Sequence, residues 1–214
     1  VPKDGSNGDP LTFRPITVLS TVYRVWAGFR FRSIREWHTK WERGSTFQGT
    51  EEVYWNALLE FEVAGISGRD AFLSTFDFQK CYDSISWPIL FHCLEKRGLD
   101  PKILGPMTRF YQNLSRINKF SDGAVGNRWK PSNGMIQGCV LSIMALNAIV
   151  SIWEDEIREQ VGEEILAGIY ADDLSIITHD LDVLVKVETI TKEFAELADM
   201  ILHPNKCYST ANSP

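Results

Sequence analysis

The adjacent carboxylates of Tyr170-Ala171-Asp172-Asp173 are the sharpest candidate for a chemical site. They stand between two short apolar segments, residues 165–170 and 174–178, that are typical of β-strands, so we expect them at the tip of a hairpin. Like charges side by side are unfavourable unless a cation holds them. A divalent metal that prefers oxygen ligands, such as Mg²⁺, would do so. An ordinary acidic turn is the alternative interpretation, because aspartate is frequent in turns.

A third carboxylate favours the metal interpretation. Asp77 lies in residues 71–78, an apolar run that predicts a strand, where an ionised side chain is costly unless it is paired or bound to metal. If the hairpin pairs with this strand, Asp77 and Asp172 can meet around two metal ions. Such a metal pair activates an attacking oxygen and neutralises a leaving phosphate. Asp83 is a competing acid, for which a helix cap is the simpler interpretation.

The elements that must position these acids alternate along the chain without a regular βαβ period, which predicts an α+β fold. Residues 20–43 predict one amphipathic helix with a basic face. Its apolar face would consist of Val22, Val25, Trp26 and Phe29. A second helix is predicted over residues 51–64, ended by Gly65 and Gly68. Further helices are predicted over residues 87–97, 101–114, 139–160 and 181–201, and short strand-like pieces over residues 117–135.

Composition and charge limit the class of protein. A chain of 214 residues that is 44% hydrophobic and 23% charged is globular, not disordered. The net charge of −6 argues mildly against a nucleic-acid binder. That total hides an alternation, because residues 1–50 and 101–150 are basic whereas residues 51–100 and 151–214 are acidic. The two basic blocks are therefore compatible with a nucleic-acid partner.

Cysteine spacing and hydropathy bear on the compartment. The four cysteines are widely spaced, without the paired spacing of a zinc site, which favours reduced thiols in an intracellular protein of the nucleus or cytoplasm. No stretch reaches about 18 uninterrupted apolar residues, so no membrane span is expected.

Six short segments, spread over nearly the whole chain, stand in the order typical of one enzyme family. They are residues 1–3, 13–16, 76–83, 133–142, 170–173 and 202–207. In this order and spacing the chain resembles reverse transcriptases, most closely those of non-LTR (LINE-type) retrotransposons. The resemblance implies the fingers and palm of a right-hand polymerase, with an antiparallel palm sheet packed on helices. It places fingers in residues 1–70 and palm with an interleaved fingers segment in residues 71–214, without a thumb.

The resemblance also implies an activity. An RNA-directed DNA polymerase, a nucleotidyltransferase, would add dNTPs to the 3′-hydroxyl of a DNA primer on an RNA template. Two Mg²⁺ ions would serve it, with Mn²⁺ as a substitute. Asp77, Asp172 and Asp173 would be the catalytic metal ligands, and Lys206 would lie near the pyrophosphate as a proton donor.

The same resemblance implies a set of nucleotide-binding residues. Lys3 and Arg14 would contact the triphosphate. Phe78 would supply backbone near the phosphates, and Tyr82 would act as a steric gate against the 2′-hydroxyl. Gln137 and Gly138 would border the nucleotide and the template base.

Departures from the family pattern leave alternatives open. Ile143 follows Ser142 where the family usually has proline, which bears on template placement rather than on the chemistry. One alternative is a catalytically inactive reverse-transcriptase-like scaffold or a decayed element copy, although all three aspartates are present. Another is an RNA-dependent RNA polymerase, against which Ala171 and Tyr82 argue. Without a thumb, the isolated chain is expected to hold a primer–template duplex weakly.

Overall fold

The computed structural model describes residues 17–42, 50–120 and 123–212. Within these residues the elements follow in this order: α1 (Thr21–Ser33), α2 (Arg35–Trp41), α3 (Thr50–Ser67), β1 (Phe72–Asp77), α4 (Cys81–Ser84), α5 (Trp87–Lys96), α6 (Pro101–Gln112), α7 (Val140–Val161), β2 (Leu166–Tyr170), β3 (Asp173–Thr178), α8 (Leu181–Leu197) and β4 (Tyr208–Ala211). The predicted α+β class is confirmed. No helix in the described ranges is long and apolar enough to span a membrane.

A four-stranded antiparallel sheet forms the centre of the fold. Its strand order is β2-β3-β1-β4, so the β2–β3 hairpin adds to one edge of β1 and β4 to the other. Between β1 and β3, Phe72 lies opposite Thr178 and Asp77 lies opposite Asp173. The pairing of the hairpin with the Asp77 strand, on which the metal interpretation depended, is thus observed.

One face of the sheet packs against α7 and α8. Alternate residues of β1 point into this layer, where Phe76 meets Trp153 edge-on with ring centroids 6.3 Å apart. Just beyond β1, the Phe78 ring lies 6.2 Å from Phe194 of α8. The indole of Trp153 donates a 2.9 Å hydrogen bond to the Thr191 hydroxyl, so the buried polar atom is satisfied. Because the even positions of β1 are buried here, its odd positions, which include Asp77, point to the opposite face.

The predicted helices of the palm region are confirmed with small shifts in their ends. Helix α6 begins at Pro101, and the Asp100 carboxylate accepts a 2.8 Å hydrogen bond from the Lys102 backbone N–H. Helix α5 follows Ser86 as expected, but the Ser86 side chain makes no capping hydrogen bond. The strand-like pieces expected over residues 117–135 are limited, within the described residues, to backbone pairings such as Arg116 with Trp129.

The prediction for residues 20–43 is wrong in two respects. The segment forms two helices that meet at Ile34, and the predicted apolar face points largely outward: Val22 is 81% exposed and Phe29 is 65% exposed. Tyr23 and Ala27 are buried instead. The Tyr23 ring stacks on Phe110 of α6 with centroids 3.9 Å apart, and this long-range contact determines which face turns inward.

Helix α3 also differs from its prediction. It continues through Gly65 to Ser67, and Gly68 follows with a positive φ of 66°, the left-handed conformation that ends many helices. The helix is tied to the end of β3 by His179, whose ring nitrogens lie 2.9 Å from the Glu60 carboxylate and 2.7 Å from the Asp70 carbonyl oxygen. Strand β4, which the sequence did not predict, is short and exposed.

Candidate active site

Three aspartates come together where β1 ends and the β2–β3 hairpin turns. Sheet register places Asp77, the last residue of β1, opposite Asp173, the first residue of β3. Asp172 precedes Asp173 in the two-residue turn and is half-buried. Ala171, the other turn residue, has a φ of 54°, a left-handed conformation that is uncommon for alanine. The expected meeting of Asp77 with the acidic pair is therefore observed.

Burial and neighbouring carboxylates disfavour the charge of Asp172. The pKa of Asp172 is raised above its ordinary value, chiefly by burial and then by the negative charges of Asp173 and Asp77. Nearby Lys206 opposes this shift. A carboxylate held in this way gains from any additional cation that approaches it.

Lys206 is the cation that the protein itself supplies. Its Nζ lies 2.8 Å from Oδ2 of Asp77, with the lysine side chain 60% exposed and the aspartate side chain 15% exposed. The hydrogen bond to Asp77 is the main reason that the pKa of Lys206 is raised, and the charges of Asp173 and Asp172 add to it. Lys206 is thus held fully protonated beside the acids.

Backbone hydrogen bonds attach the Lys206 segment to the end of β1. The Gln79 N–H donates to the Ile201 carbonyl and the His203 N–H donates to the Asp77 carbonyl, each at 2.7 Å. The Cys207 sulfur lies 3.4 Å from the Asp77 backbone nitrogen. The sequence pattern assigns no role to Cys207, and the only signal for it is its place directly after Lys206. These contacts fix the lysine turn relative to Asp77.

Beneath the acids lies a buried thiol. Cys81 is 2% exposed, and its pKa is raised by burial and then by the charges of Asp172, Asp77 and Asp83. Next to it, the phenol of Tyr82 has a raised pKa, again because of burial first and Asp172 second. Both groups therefore remain protonated and neutral, and the half-buried Tyr82 ring lies within electrostatic reach of Asp172.

The segment 133–138 is folded against this same corner. The Gly134 N–H donates to the Ile85 carbonyl at 2.8 Å, and the Met135 N–H donates to the Tyr82 carbonyl. Gly134 has a φ of 80°, and a Cβ at this position would lie 2.7 Å from the Asp83 carbonyl oxygen. Only glycine suits this close approach of two backbone segments.

Asp83 has a different role from the predicted helix cap. It lies within the short helix α4, whose N-cap is Lys80, and its Oδ2 accepts a 3.3 Å hydrogen bond from the Gln137 amide. This contact links the first palm segment to the 133–138 segment. Asp83 therefore orients Gln137.

Comparison with known proteins decides the family. The model of the family described as reverse transcriptase (RNA-dependent DNA polymerase) matches residues 1–213. The chain belongs to the reverse transcriptase family.

Relatives of known identity agree with this assignment. The Pol polyprotein of the type-1 retrotransposable element R2 from Nasonia vitripennis, a non-LTR element, is 22% identical over the whole chain. The chain spans 22% of the length of that polyprotein. The expected resemblance to non-LTR reverse transcriptases is confirmed.

Solved structures show the same fold. Telomerase from Candida tropicalis in complex with the TWJ fragment of telomeric RNA superposes with a TM-score of 0.63 at 16% identity, over 90% of this chain and 34% of the telomerase chain. Apo telomerase from the same organism, truncated from the C-terminal domain, gives 0.61 at 14% identity, over 91% and 41% of the two chains. The predicted fingers–palm fold of a right-hand polymerase is thereby confirmed.

Of the remaining predicted nucleotide-binding residues of this reverse transcriptase, some lie within the described structure and others do not. Phe78 is buried in the core, which leaves its backbone beside the acids. Gly138 is exposed, with a φ of 90°. Lys3 and Arg14 lie outside the described residues, so their contact with a triphosphate stays a prediction.

Reverse transcriptases depend in general on divalent metal ions, and the residues present suit one. Within residues 17–42, 50–120 and 123–212, no three His, Cys, Asp or Glu side chains form a metal-holding group by themselves. Mg²⁺, however, is usually bound by one or two carboxylates together with substrate phosphates and water. Burial, and then the negative charges of Asp173 and Asp77, raise the pKa of Asp172, so a bound cation would favour its ionised form.

A groove of about 750 Å³ opens beside the acids. Its lining includes Asp77, Asp173 and Lys206. Its walls are largely apolar and come from α3 and from the sheet face opposite α7 and α8: Tyr54, Leu58, Phe61, Leu73, Tyr170 and Tyr208. Asp77 and Asp173 are therefore accessible from the open face of the sheet.

Proposed function

We propose that the chain is the RNA-directed DNA polymerase domain of a non-LTR retrotransposon, which adds dNTPs to a DNA primer on an RNA template. The observation that carries this proposal is the meeting of Asp77 with Asp172 and Asp173 in a chain of the reverse transcriptase family. The similar R2 polyprotein is much longer than this chain, so the substrates of the whole protein belong to the proposal.

In this proposal Asp77, Asp172 and Asp173 hold Mg²⁺, for which Mn²⁺ substitutes. Two such ions, when bound, lower the pKa of the primer hydroxyl and offset charge on the leaving pyrophosphate. The carboxylates orient this centre, because β1 and the hairpin turn hold them on a rigid sheet edge.

The nucleotidyl transfer joins the primer 3′-oxygen to the α-phosphorus and breaks the bond from that phosphorus to the bridging oxygen of pyrophosphate. The primer hydroxyl gives its proton to solvent water, and the departing pyrophosphate gains one. We assign this second proton to Lys206, whose pKa is raised while it contacts Asp77. The contact with Asp77 keeps Lys206 protonated, so it has a proton to give to the leaving pyrophosphate.

Tyr82 serves as the gate against ribonucleotides in this proposal. Its ring is half-buried, its hydroxyl stays protonated, and it lies beside Asp172, where the sugar of an incoming nucleotide would approach. Gln137, oriented by Asp83, and Gly138 border the nucleotide and the template base. Lys3 and Arg14 contact the triphosphate.

The domain limits and the location of the protein also remain proposals. Residues 1–70 would form fingers, and residues 71–214 would form palm with an interleaved fingers segment. An intracellular location, in the nucleus or cytoplasm, is supported by four cysteines that are all free thiols.

Primer extension on an RNA template tests the proposal. With Mg²⁺, the purified protein should extend a DNA primer with dNTPs and discriminate against rNTPs. Tyr82→Val should admit rNTPs, whereas Tyr82→Phe, which keeps the ring, should retain discrimination. Equal use of both nucleotides by the unchanged protein would contradict the assignment as a DNA polymerase.

A further inference from the structure

Two hydroxyls and one carboxylate join the sheet to α8 on the sheet face away from the groove. Ser74 of β1 lies opposite Ser209 of β4, and their Oγ atoms are 2.6 Å apart. Oε1 of Glu188, a residue of α8, lies 3.0 Å from the Ser74 hydroxyl and 2.6 Å from the Ser209 hydroxyl. One carboxylate oxygen therefore connects β1, β4 and α8.

Glu188 determines the direction of these hydrogen bonds. Each serine hydroxyl has one proton to donate, whereas an ionised carboxylate only accepts. The hydrogen bonds therefore run toward Glu188, and a charged acceptor makes them stronger than bonds between neutral groups. Ser74 is 1% exposed, so water does not replace the carboxylate oxygen at this hydroxyl if the carboxylate is removed.

Strand β4 depends on such contacts because its own side chains do not pack into the core. All four of its residues are exposed. Directly after the strand, the Asn212 side chain accepts a 2.9 Å hydrogen bond from the Ala71 N–H. Near its beginning, the Ser209 hydroxyl bonds to Glu188. These two side-chain contacts attach the two ends of an exposed strand to the rest of the fold.

The beginning of β4 is also the end of the lysine turn, residues 203–207. At the start of this turn, the His203 N–H donates to the Asp77 carbonyl at 2.7 Å. Lys206 stands three residues before Ser209, and its Nζ reaches Asp77 at 2.8 Å while the side chain is 60% exposed. A lysine is a point charge on a flexible stem. The position of its ammonium therefore depends on how firmly the backbone is held at both ends of the turn.

We propose that Glu188 is a positioning residue for nucleotidyl transfer. Through Ser209 it holds the end of the lysine turn, so that the Lys206 ammonium stays at the acidic corner. Glu188 lies on the other face of the sheet from the groove and acts through Lys206, not on the substrate. This role rests on the proposed function, in which Lys206 gives a proton to the leaving pyrophosphate.

A double-mutant cycle on the rate of single-nucleotide extension tests this role. Lys206→Met should lower kcat about a hundredfold, a usual contribution of a general acid. Glu188→Ala should lower kcat about fivefold and leave KM for dNTP within about twofold, because a displaced proton donor slows the transfer and not the binding. In the Lys206→Met background, Glu188→Ala should have no further effect, since the lysine it positions is already absent.

Matched variants separate positioning from loss of charge or of fold. Glu188→Gln keeps a side-chain carbonyl that accepts from both hydroxyls, so kcat should stay within about twofold of the unchanged protein. Glu193→Ala removes an exposed carboxylate further along α8 and should leave kcat unchanged. Ser209→Ala, at an exposed position, should lower kcat as Glu188→Ala does, and it carries the test if circular dichroism shows that Glu188→Ala is unfolded.

Hydrogen exchange measures the attachment without any activity. The amides of residues 203–209 should exchange about tenfold faster in Glu188→Ala than in the unchanged protein, because local opening of this segment becomes easier. The amides of β2 and β3, which do not contact Glu188 through these hydrogen bonds, should keep their rates. Unchanged exchange over residues 203–209 would show that Glu188 does not hold the turn.

The outcomes distinguish the positioning role from the proposed polymerase. If Glu188→Ala lowers kcat by the same factor with and without Lys206, or raises KM instead, the positioning role is wrong and the polymerase assignment stands. If Lys206→Met extends primers as the unchanged protein does, the proton-donor role of Lys206 and the positioning role of Glu188 both fail. If Asp172→Asn extends primers normally, the catalytic assignment of the aspartates fails whatever the cycle shows.

Discussion

The acidic corner and the N-terminal helices differ in what positions their side chains. At the corner, sheet register and backbone hydrogen bonds fix Asp77, Asp173 and the Lys206 turn, and little freedom remains. In α1 and α3, many large apolar side chains face solvent, among them Val22, Phe29, Trp55 and Ile66. Backbone pairing therefore makes the site precise, whereas the helices depend on a few side-chain contacts for their orientation.

Two glycine substitutions test this difference most strongly. Gly134→Ala should destabilise the fold by about 3 kcal/mol, since it adds left-handed strain and brings a Cβ against the Asp83 backbone. It should also lower polymerase activity by displacing Gln137. Gly65→Ala, inside exposed α3 with nothing within 4 Å of the new Cβ, should stabilise by about 0.5–1 kcal/mol. Urea unfolding measures both, and a similar loss in both variants would remove the contrast.

Substitutions on the buried and exposed faces of α1 should differ in their effect on stability. Tyr23→Ala should cost about 3 kcal/mol, because it removes a buried ring that stacks on Phe110. Val22→Ala, at the neighbouring exposed position, should change stability by no more than about 0.5 kcal/mol. Chemical denaturation of the two variants gives the comparison. Equal losses of stability in the two variants would support the buried face that the sequence pattern predicted.

The Lys206–Asp77 contact should compete with metal binding at the corner. Lys206→Met should bind Mn²⁺ about threefold more tightly without nucleotide, since an ion pair whose lysine is largely exposed to solvent is worth about 1 kcal/mol or less. Calorimetric titration measures the affinity. Lys80→Met, which removes an exposed lysine three residues after Asp77, is the matched control. Unchanged or weaker Mn²⁺ binding by Lys206→Met would show that the contact does not occlude the carboxylate.

The smallest effect concerns His38, which anchors α2 to α7. The ring is fully buried, its Nε2 lies 3.0 Å from the Asn147 amide nitrogen, and burial lowers its pKa although Glu42 opposes the shift. A histidine whose pKa is lower in the folded state contributes stability that is present above about pH 6.5 and is lost as pH falls below it. Between pH 8 and pH 5, His38→Gln should therefore lose less stability than the unchanged protein.

The pH experiment needs a difference between two proteins because carboxylates titrate as well. The raised pKa of Asp172 makes the ionised form unfavourable in the fold, so this group adds stability as pH falls. That contribution is common to both proteins and cancels in the comparison. A loss of the same size in the variant and in the unchanged protein would mean that His38 has no such effect.

Much of the acidic corner was predictable because its determinants are local. An aspartate in an apolar strand and a pair in a hairpin turn meet once the strands pair, and the register of β1 with β3 brings Asp77 opposite Asp173. The contacts of Cys207 and the steric need for Gly134 were not predictable, because they depend on close approach between segments about 50 to 130 residues apart.

The prediction of the buried face of α1 was wrong for a similar reason. The periodicity of apolar residues in α1 allows either of two helix faces to be buried. Tyr23 contacts Phe110 and Cys139, which lie far along the chain, and these contacts determine which face is buried. The local pattern alone favoured burial of the face that contains Val22 and Val25. Strand β4 was missed because its four residues are exposed, without the apolar alternation that identifies a strand.

The most direct test of the central claim is primer extension by Asp172→Asn with Mg²⁺, an RNA template, a DNA primer and dNTPs. We expect a loss of about a thousandfold or more, since several kcal/mol of charge stabilisation disappear with the metal ligand. The variant should fold at least as stably as the unchanged protein, because burial disfavours the charge that it removes. Asp182→Asn, in the exposed first turn of α8, should remain active. Unchanged extension by Asp172→Asn would contradict the assignment of these aspartates as the catalytic centre.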